Sequence, residues 1–449
     1  MKSITLLFGF LSVQHGLTVV NFPSSSQSQS PLSSAIFLLN YLERHGIIRL
    51  MPKRPKPSSQ DQTSRNFLRD ISREELLLFG AGLVLAVLVR VSLFDFQSGD
   101  YVSHMTHWYD FIVSHGSFRA LGYNFSNYTP PYLYLLALAT HLPVGKLYAL
   151  KILSIIFDFP LALFVALVTR LKYENRLVWA SAFFLTLFAP TVIFNSALWG
   201  QSDAIYTMLL LASIYFLLKD RAFASLLFLS LAFSFKLQTI FLLPVFFILA
   251  WRRRIPLKLF LLIPGIYILM VVPAWIAGRP LGELLTIYMH QGDVNYQALT
   301  LNAPNFYQWL PDSNELFGKF ALLFGCGMIY LFCLLAIKSE EPLNNDLIIK
   351  LSLVSLILAP FFLPSMHERY FFPADVFAIV YAFYFPRYFF VPLMVILSSL
   401  FSYFPFLFGQ PVIELPKVTI ILGAALIAVV FNLIRTLYPV LDEVKPVDS

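Results

Sequence analysis

The stretch PPYLYLLALATHL, Pro130 to Leu142, decides the topology of this chain. It is apolar throughout, but it runs for only about 13 residues, and a helix needs about 20 to cross the hydrocarbon core of a bilayer. If it crossed, Arg170, Lys172, Arg176 and the cluster Arg252-Arg253-Arg254 would all lie outside, against the rule that basic loops stay inside. Residues 131–143 are therefore read as a juxtamembrane or re-entrant helix. Every later loop takes its side from that reading.

The composition around it is that of a membrane protein. Of 449 residues 58% are hydrophobic and 13% are charged, where soluble proteins carry about 25% charged residues. The mean hydropathy is +0.71. Repeated apolar runs of roughly 20 residues give an all-α, polytopic transmembrane protein of about 12 spans. The +7 balance sits in short loops between spans, so it sets orientation and is no signal of nucleic-acid binding. Cys326 and Cys333 fall on one expected helix, about 10 Å apart along its axis, too far for a bridge.

Three regions follow. Residues 1–73 form a disordered and basic cytoplasmic head, 74–440 the transmembrane domain and 441–449 a cytoplasmic tail. Within the head, Lys2 and ITLLFGFLSV outline a weak signal peptide, and SSSQSQSPLSS is low-complexity. Met51 opens a natural-looking start, so 1–50 is read as a misassigned extension. Span 1 covers about Glu75–Phe94, with Arg65, Arg69 and Arg73 before it, which puts the N-terminal side in the cytoplasm. Further spans are expected at about Leu147–Thr169, Leu177–Leu198, Ala204–Leu218, Ala222–Ser234, Thr239–Trp251, Leu257–Trp275, Lys319–Ile337, Leu347–Leu363, Phe371–Phe385, Phe389–Phe408 and Val418–Leu437. Both ends are then cytoplasmic.

With that arrangement the polar clusters fall on the outer side. The first is LFDFQSGDYVSHMTHWYD, 93–110, where Asp95 and Asp100 stand at the junction of an apolar helix with water and His104 follows. A carboxylate at a membrane boundary is a functional hypothesis by default, and near an apolar wall its pKa is adjustable enough to serve as a base. Either acid fits; a solvated helix end is the plainer reading. In LWGQSDAIY, 198–206, Trp199 fits an interfacial anchor or a substrate contact, Gln201 and Asp203 fit partners for sugar hydroxyls or supports for the residues that touch substrate, and Asp203 also fits a helix cap. Lys236, between two short apolar helices, is either a snorkelling lysine or a point charge for a phosphate. In MHERYFF, 366–372, Arg369 suits bidentate phosphate binding, His367 suits the same group, and Glu368 suits a partner for Arg369 or, with His104 and Asp95, a substrate contact. No HExxH, P-loop, GxGxxG or GxSxG pattern is present. Asp158, inside the second span, is the residue that favours a flippase or small-molecule transporter.

GDY after span 1, YTPP at the end of its loop, LWGQSDA, FKLQ before PVFF, NAPNFYQWL and HERYFFP together resemble the GT-C superfamily of polytopic glycosyltransferases. The look is that of bacterial, often cyanobacterial, relatives of the GPI mannosyltransferases, over about 74–440. The resemblance implies an inverting hexosyltransferase, mannose first, working on the extracytoplasmic side of a bacterial plasma membrane. It would use a polyprenyl-phosphate sugar donor and a glycan, lipid or protein acceptor, and neither cofactor nor metal. The family's general base then corresponds to Asp100. Its cations at the lipid phosphate correspond to Lys236 and Arg369, and its HE pair to His367 and Glu368. Asp95 is offset from the family's second acid.

Overall fold

The computed structural model describes residues 72–295, 298–311 and 315–439. The expectations for the 1–50 extension, the rest of the basic head up to 71 and the tail 441–449 lie outside the described residues. The chain divides at Leu77, and everything below concerns the unit that begins at Leu78, apart from the first turns of the helix Arg73–Val91.

The described residues are mostly helical, with a single pair of two-residue strands. Six helices among them are long and apolar enough to cross a membrane: Lys146–Arg170, Leu257–Ile276, Phe317–Lys338, Asn345–Phe362, Pro386–Phe408 and Leu415–Leu437. The pair Arg176–Leu187 and Pro190–Trp199, bent by 47°, passes the same test when taken together, as a broken span or a re-entrant loop. The break falls at Pro190, whose ring removes one backbone donor and opens a new helix at its first turn. Shorter apolar helices run Asp203–Leu218, Ala222–Phe235 and Leu237–Trp251. Asn345–Phe362 is the central element, 83% buried, while Leu257–Ile276 is only 17% buried and turns Leu261 and Ile276 outward. An outward apolar face of this kind is what lipid contact requires.

The helix Pro130–Ala139 is ten residues long. Both of its ends are fastened to the same preceding segment. After it, His141 bonds Ser117 at 3.0 Å and Lys146 pairs with Asp110 at 2.8 Å. Before it, Tyr128 packs its ring on Trp108. The chain thus leaves and returns to one segment across this short helix.

One buried ion pair locks the first helix to this frame. Arg90 donates to Asp158 at 2.8 Å with both side chains at 0% exposure, and also to the carbonyls of Ala86 and Leu187. Ser196 donates to the same carboxylate oxygen at 2.5 Å.

Candidate active site

The site is built where several helix ends meet. After the helix Pro190–Ile193 the chain widens into a π-helical turn, Phe194–Trp199, and ends on Gly200 in the left-handed region, φ 81°. A side chain at that φ would be strained, so glycine is what lets the chain reverse there. The reversal presents Trp199 and Gln201 in the same direction. The carbonyls of Trp199 and Gly200 are held by the hydroxyls of Ser98 and Ser154, at 2.8 and 2.9 Å. A second π-helical turn, Tyr101–Met105, begins directly after Asp100. Such turns concentrate at functional positions.

Asp100 is where these pieces converge. Its Oδ2 accepts from Trp199 Nε1 at 2.8 Å and from Gln201 Nε2 at 2.5 Å, with Arg369 Nη1 at 3.5 Å. All three donors aim at one oxygen. Among the described residues Oδ1 accepts no hydrogen bond, and the side chain is 19% exposed. Tyr128 donates to the Gln201 carbonyl oxygen at 3.3 Å, which fixes the amide's orientation.

Two cations stand beside it. Lys236 is the extended residue between Ala222–Phe235 and the following 3-10 turn, and it pairs with Asp203 at 2.5 Å. Asn195 holds the other Asp203 oxygen at 2.8 Å. Burial, the largest single influence, lowers the Lys236 pKa, but Asp203 and Tyr128 together outweigh it and the net direction is upward. Arg369 lies over the Trp199 ring at 5.5 Å and 3.6 Å from Glu368, and its Nε is buried without a hydrogen bond. Burial pushes the Glu368 carboxyl up to about 7 against the pull of Arg369. Burial, helped by Arg369 and Lys236, lowers His367 to about 3, so its ring is neutral.

His367 is placed by the strand pair: Met366–His367 runs parallel to Thr300–Leu301, and Ser365 bonds the backbone of 298–299 with both its N–H and its hydroxyl. Lys236, Arg369, His367 and His104 line a cavity of about 770 Å³, together with Trp108, Tyr128 and Tyr288. Asp100 is not one of the lining residues; Arg369, 3.5 Å from its Oδ2, is.

The expected residues therefore separate into groups. Asp100, Trp199, Gln201, Asp203, Lys236, His367, Glu368 and Arg369 come together. Trp199, Gln201, Asp203 and Glu368 were read as substrate contacts, but each is only 1% exposed and touches protein side chains instead. They hold Asp100, Lys236 and Arg369 in place. Asp95 stands apart, exposed and accepting from the Tyr148 hydroxyl at 2.7 Å. Tyr128, Asn195, Arg279 and Glu283 were missed, and no local pattern in the sequence marks them. Among the described residues no three His, Cys, Asp or Glu side chains converge as metal ligands. No protein-family model matches the chain, and no curated protein matches it.

Proposed function

We propose that this protein is a membrane glycosyltransferase of the GT-C kind, with about 12 crossings once Arg73–Val91, Phe372–Tyr384 and the short apolar helices other than Pro130–Ala139 are counted. It moves a hexose, mannose first, from a polyprenyl-phosphate donor to a glycan, lipid or protein acceptor on the extracytoplasmic side, with inversion. The observation that carries this reading is the Asp100 carboxylate. One oxygen is gripped by three donors and the other is left free, beside two cations that line a cavity. Asp100 takes the proton of the acceptor hydroxyl as its oxygen attacks the anomeric carbon. The bond from that carbon to the phosphate oxygen breaks on the opposite face, and the lipid phosphate leaves with the electron pair. Lys236 and Arg369 hold the departing charge, in a setting where pre-placed cations act more strongly than in water. Neutral His367 donates one further hydrogen bond. Transport, the competing reading, drew on Asp158, whose Oδ2 is held by Arg90 and Ser196.

The test is sugar transfer from a polyprenyl-phosphate mannose in sealed vesicles of both orientations, with wild type and Asp100→Asn side by side. Loss of a general base lowers the rate about 10²-fold or more, with donor KM little changed. Equal transfer by the two proteins moves the base elsewhere. No transfer by wild type from mannose, glucose or arabinose donors sinks the reading.

A further inference from the structure

The cavity holds a second polar wall. Gly278 takes φ 117° after the helix Leu262–Ile276 and turns the chain into the helix Leu281–Asn295. A Cβ on Gly122 would lie 2.2 Å from the Ala277 carbonyl oxygen, so only glycine lets the 3-10 turn Ser117–Gly122 pack against this end. That close approach brings Asn124 to Arg279. Arg279, Asn124 and Glu283 all line the cavity.

Arg279 is 2% exposed. Its Nη2 donates to Asn124 Oδ1 at 2.6 Å, while its Nε, 3.8 Å from Glu283, is buried and makes no hydrogen bond. The Glu283 side chain is 46% exposed, and among the described residues its carboxylate accepts no hydrogen bond. The Asn124 amide nitrogen donates none there either. A buried guanidinium N–H without a hydrogen bond is costly to keep, and the residue that carries it lies on the wall of a cavity large enough for a ligand. The wall offers two donors and a carboxylate acceptor with the charges balanced. Neighbouring sugar hydroxyls, each able to donate and accept, meet that set, whereas an anion would meet Glu283. The aromatic residues Trp108, Phe125 and Tyr288, also on the cavity wall, suit the C–H face of a sugar ring.

We propose that Arg279, Asn124 and Glu283 form a second subsite of the cavity, which binds adjacent hydroxyls of an uncharged sugar headgroup. Its role as the acceptor site rests on the transferase reading; its affinity for a sugar does not. The full-length protein in lipid nanodiscs is titrated calorimetrically with methyl α-mannoside and, separately, with inorganic phosphate. Arg279→Gln and Glu283→Gln each weaken mannoside binding by about tenfold, the scale of one lost charge-assisted hydrogen bond, and leave phosphate binding unchanged. Lys236→Gln does the reverse. Because Arg279 also ties two loops together, Glu283→Gln carries the test if Arg279→Gln does not fold. Loss of phosphate binding without loss of mannoside binding in Arg279→Gln would make Arg279 part of the anion grip and overturn the proposal. So would a wild type that binds no mannoside, or variants that bind it as wild type does. Mannoside binding with no phosphate binding by wild type leaves the subsite standing and sinks the transferase reading instead.

Discussion

Glu368 has almost no exposed surface, yet its carboxyl ionises near the middle of the physiological range. The Arg369 guanidinium at 3.6 Å does not repay its desolvation, which is why burial pushes the group up to about 7. The sign of its effect on stability follows. A carboxyl whose folded pKa is raised keeps its full contribution below the ordinary carboxylate range. It loses that contribution as pH rises toward about 7. Thermal unfolding in detergent across pH 4 to 8 is therefore expected to fall through this window in wild type, and Glu368→Gln is expected to flatten the fall. At about 1.4 kcal/mol per pKa unit, Glu368→Gln gains roughly 3 kcal/mol above pH 7 relative to its effect in acid. A wild-type profile that does not change in slope on this substitution would remove Glu368 as the titrating group. At this scale the sequence was legible where charge interrupts an apolar run: Asp100, Lys236 and Arg369 are conspicuous because little else near them is charged. The holding residues were legible only as alternatives. Trp199 reads as a surface anchor or a substrate contact and Gln201 as a substrate contact or a support for a neighbouring residue, and only burial separates those roles from positioning Asp100. Arg279 was hidden for a different reason, since its partner Asn124 lies far away in the chain and no local pattern joins them.

Among the elements, the helix Arg73–Val91 and the span Lys146–Arg170 are joined by the ion pair Arg90–Asp158, and a buried pair is asymmetric in what it tolerates. Removing one partner leaves an uncompensated charge and costs about 3 to 5 kcal/mol, whereas replacing both with apolar residues of similar size is often neutral. Asp158→Ala is expected to lower the unfolding midpoint sharply, and Arg90→Met with Asp158→Leu to restore most of it. If the double variant is as unstable as the single one, the pair does more than fasten helices. A function for it would then have to be sought along Ser196, which donates to Asp158 from the same π-helical turn that carries Trp199. Periodicity and length placed these helices well: the run expected at Leu347–Leu363 is the helix Asn345–Phe362, and that at Val418–Leu437 is Leu415–Leu437. Apolar runs report helix extent because burial and lipid contact both demand it. They do not report how a turn is wound. The two π-helical turns and the strand pair of Thr300–Leu301 with Met366–His367 depend on a few backbone bonds between distant loops. No two-residue strand carries a periodicity of its own.

For residues 78–439 taken together, the contacts sort the helix ends into two groups. At one group Phe96 meets Phe408 at 5.7 Å, Asp95 meets Tyr148, and Asp100 meets Trp199 and Arg369. At the other, Lys172 reaches Asp346 and the carbonyl of Tyr384, Arg254 pairs with Asp220, and Arg252 donates to the carbonyl of Glu341. The basic residues that the positive-inside rule places in the cytoplasm thus come together, and the site lies with the other group. Which group faces outward is a matter of charge bias alone, and labelling can decide it. In a background with Cys326 and Cys333 replaced by alanine, single cysteines at exposed Gln97, Gln410, Arg253 and Arg387 are offered an impermeant maleimide on intact cells. Gln97→Cys and Gln410→Cys are expected to react, and Arg253→Cys and Arg387→Cys only after the membrane is opened. Because Phe96 and Phe408 touch, the first two positions must behave alike; reaction from opposite sides would contradict the packing itself. Agreement between them but from the cytoplasmic side would keep the fold and invert the site. Asp100 would then face nucleotide-activated sugars in the cytoplasm, and the polyprenyl-phosphate donor would lose its argument.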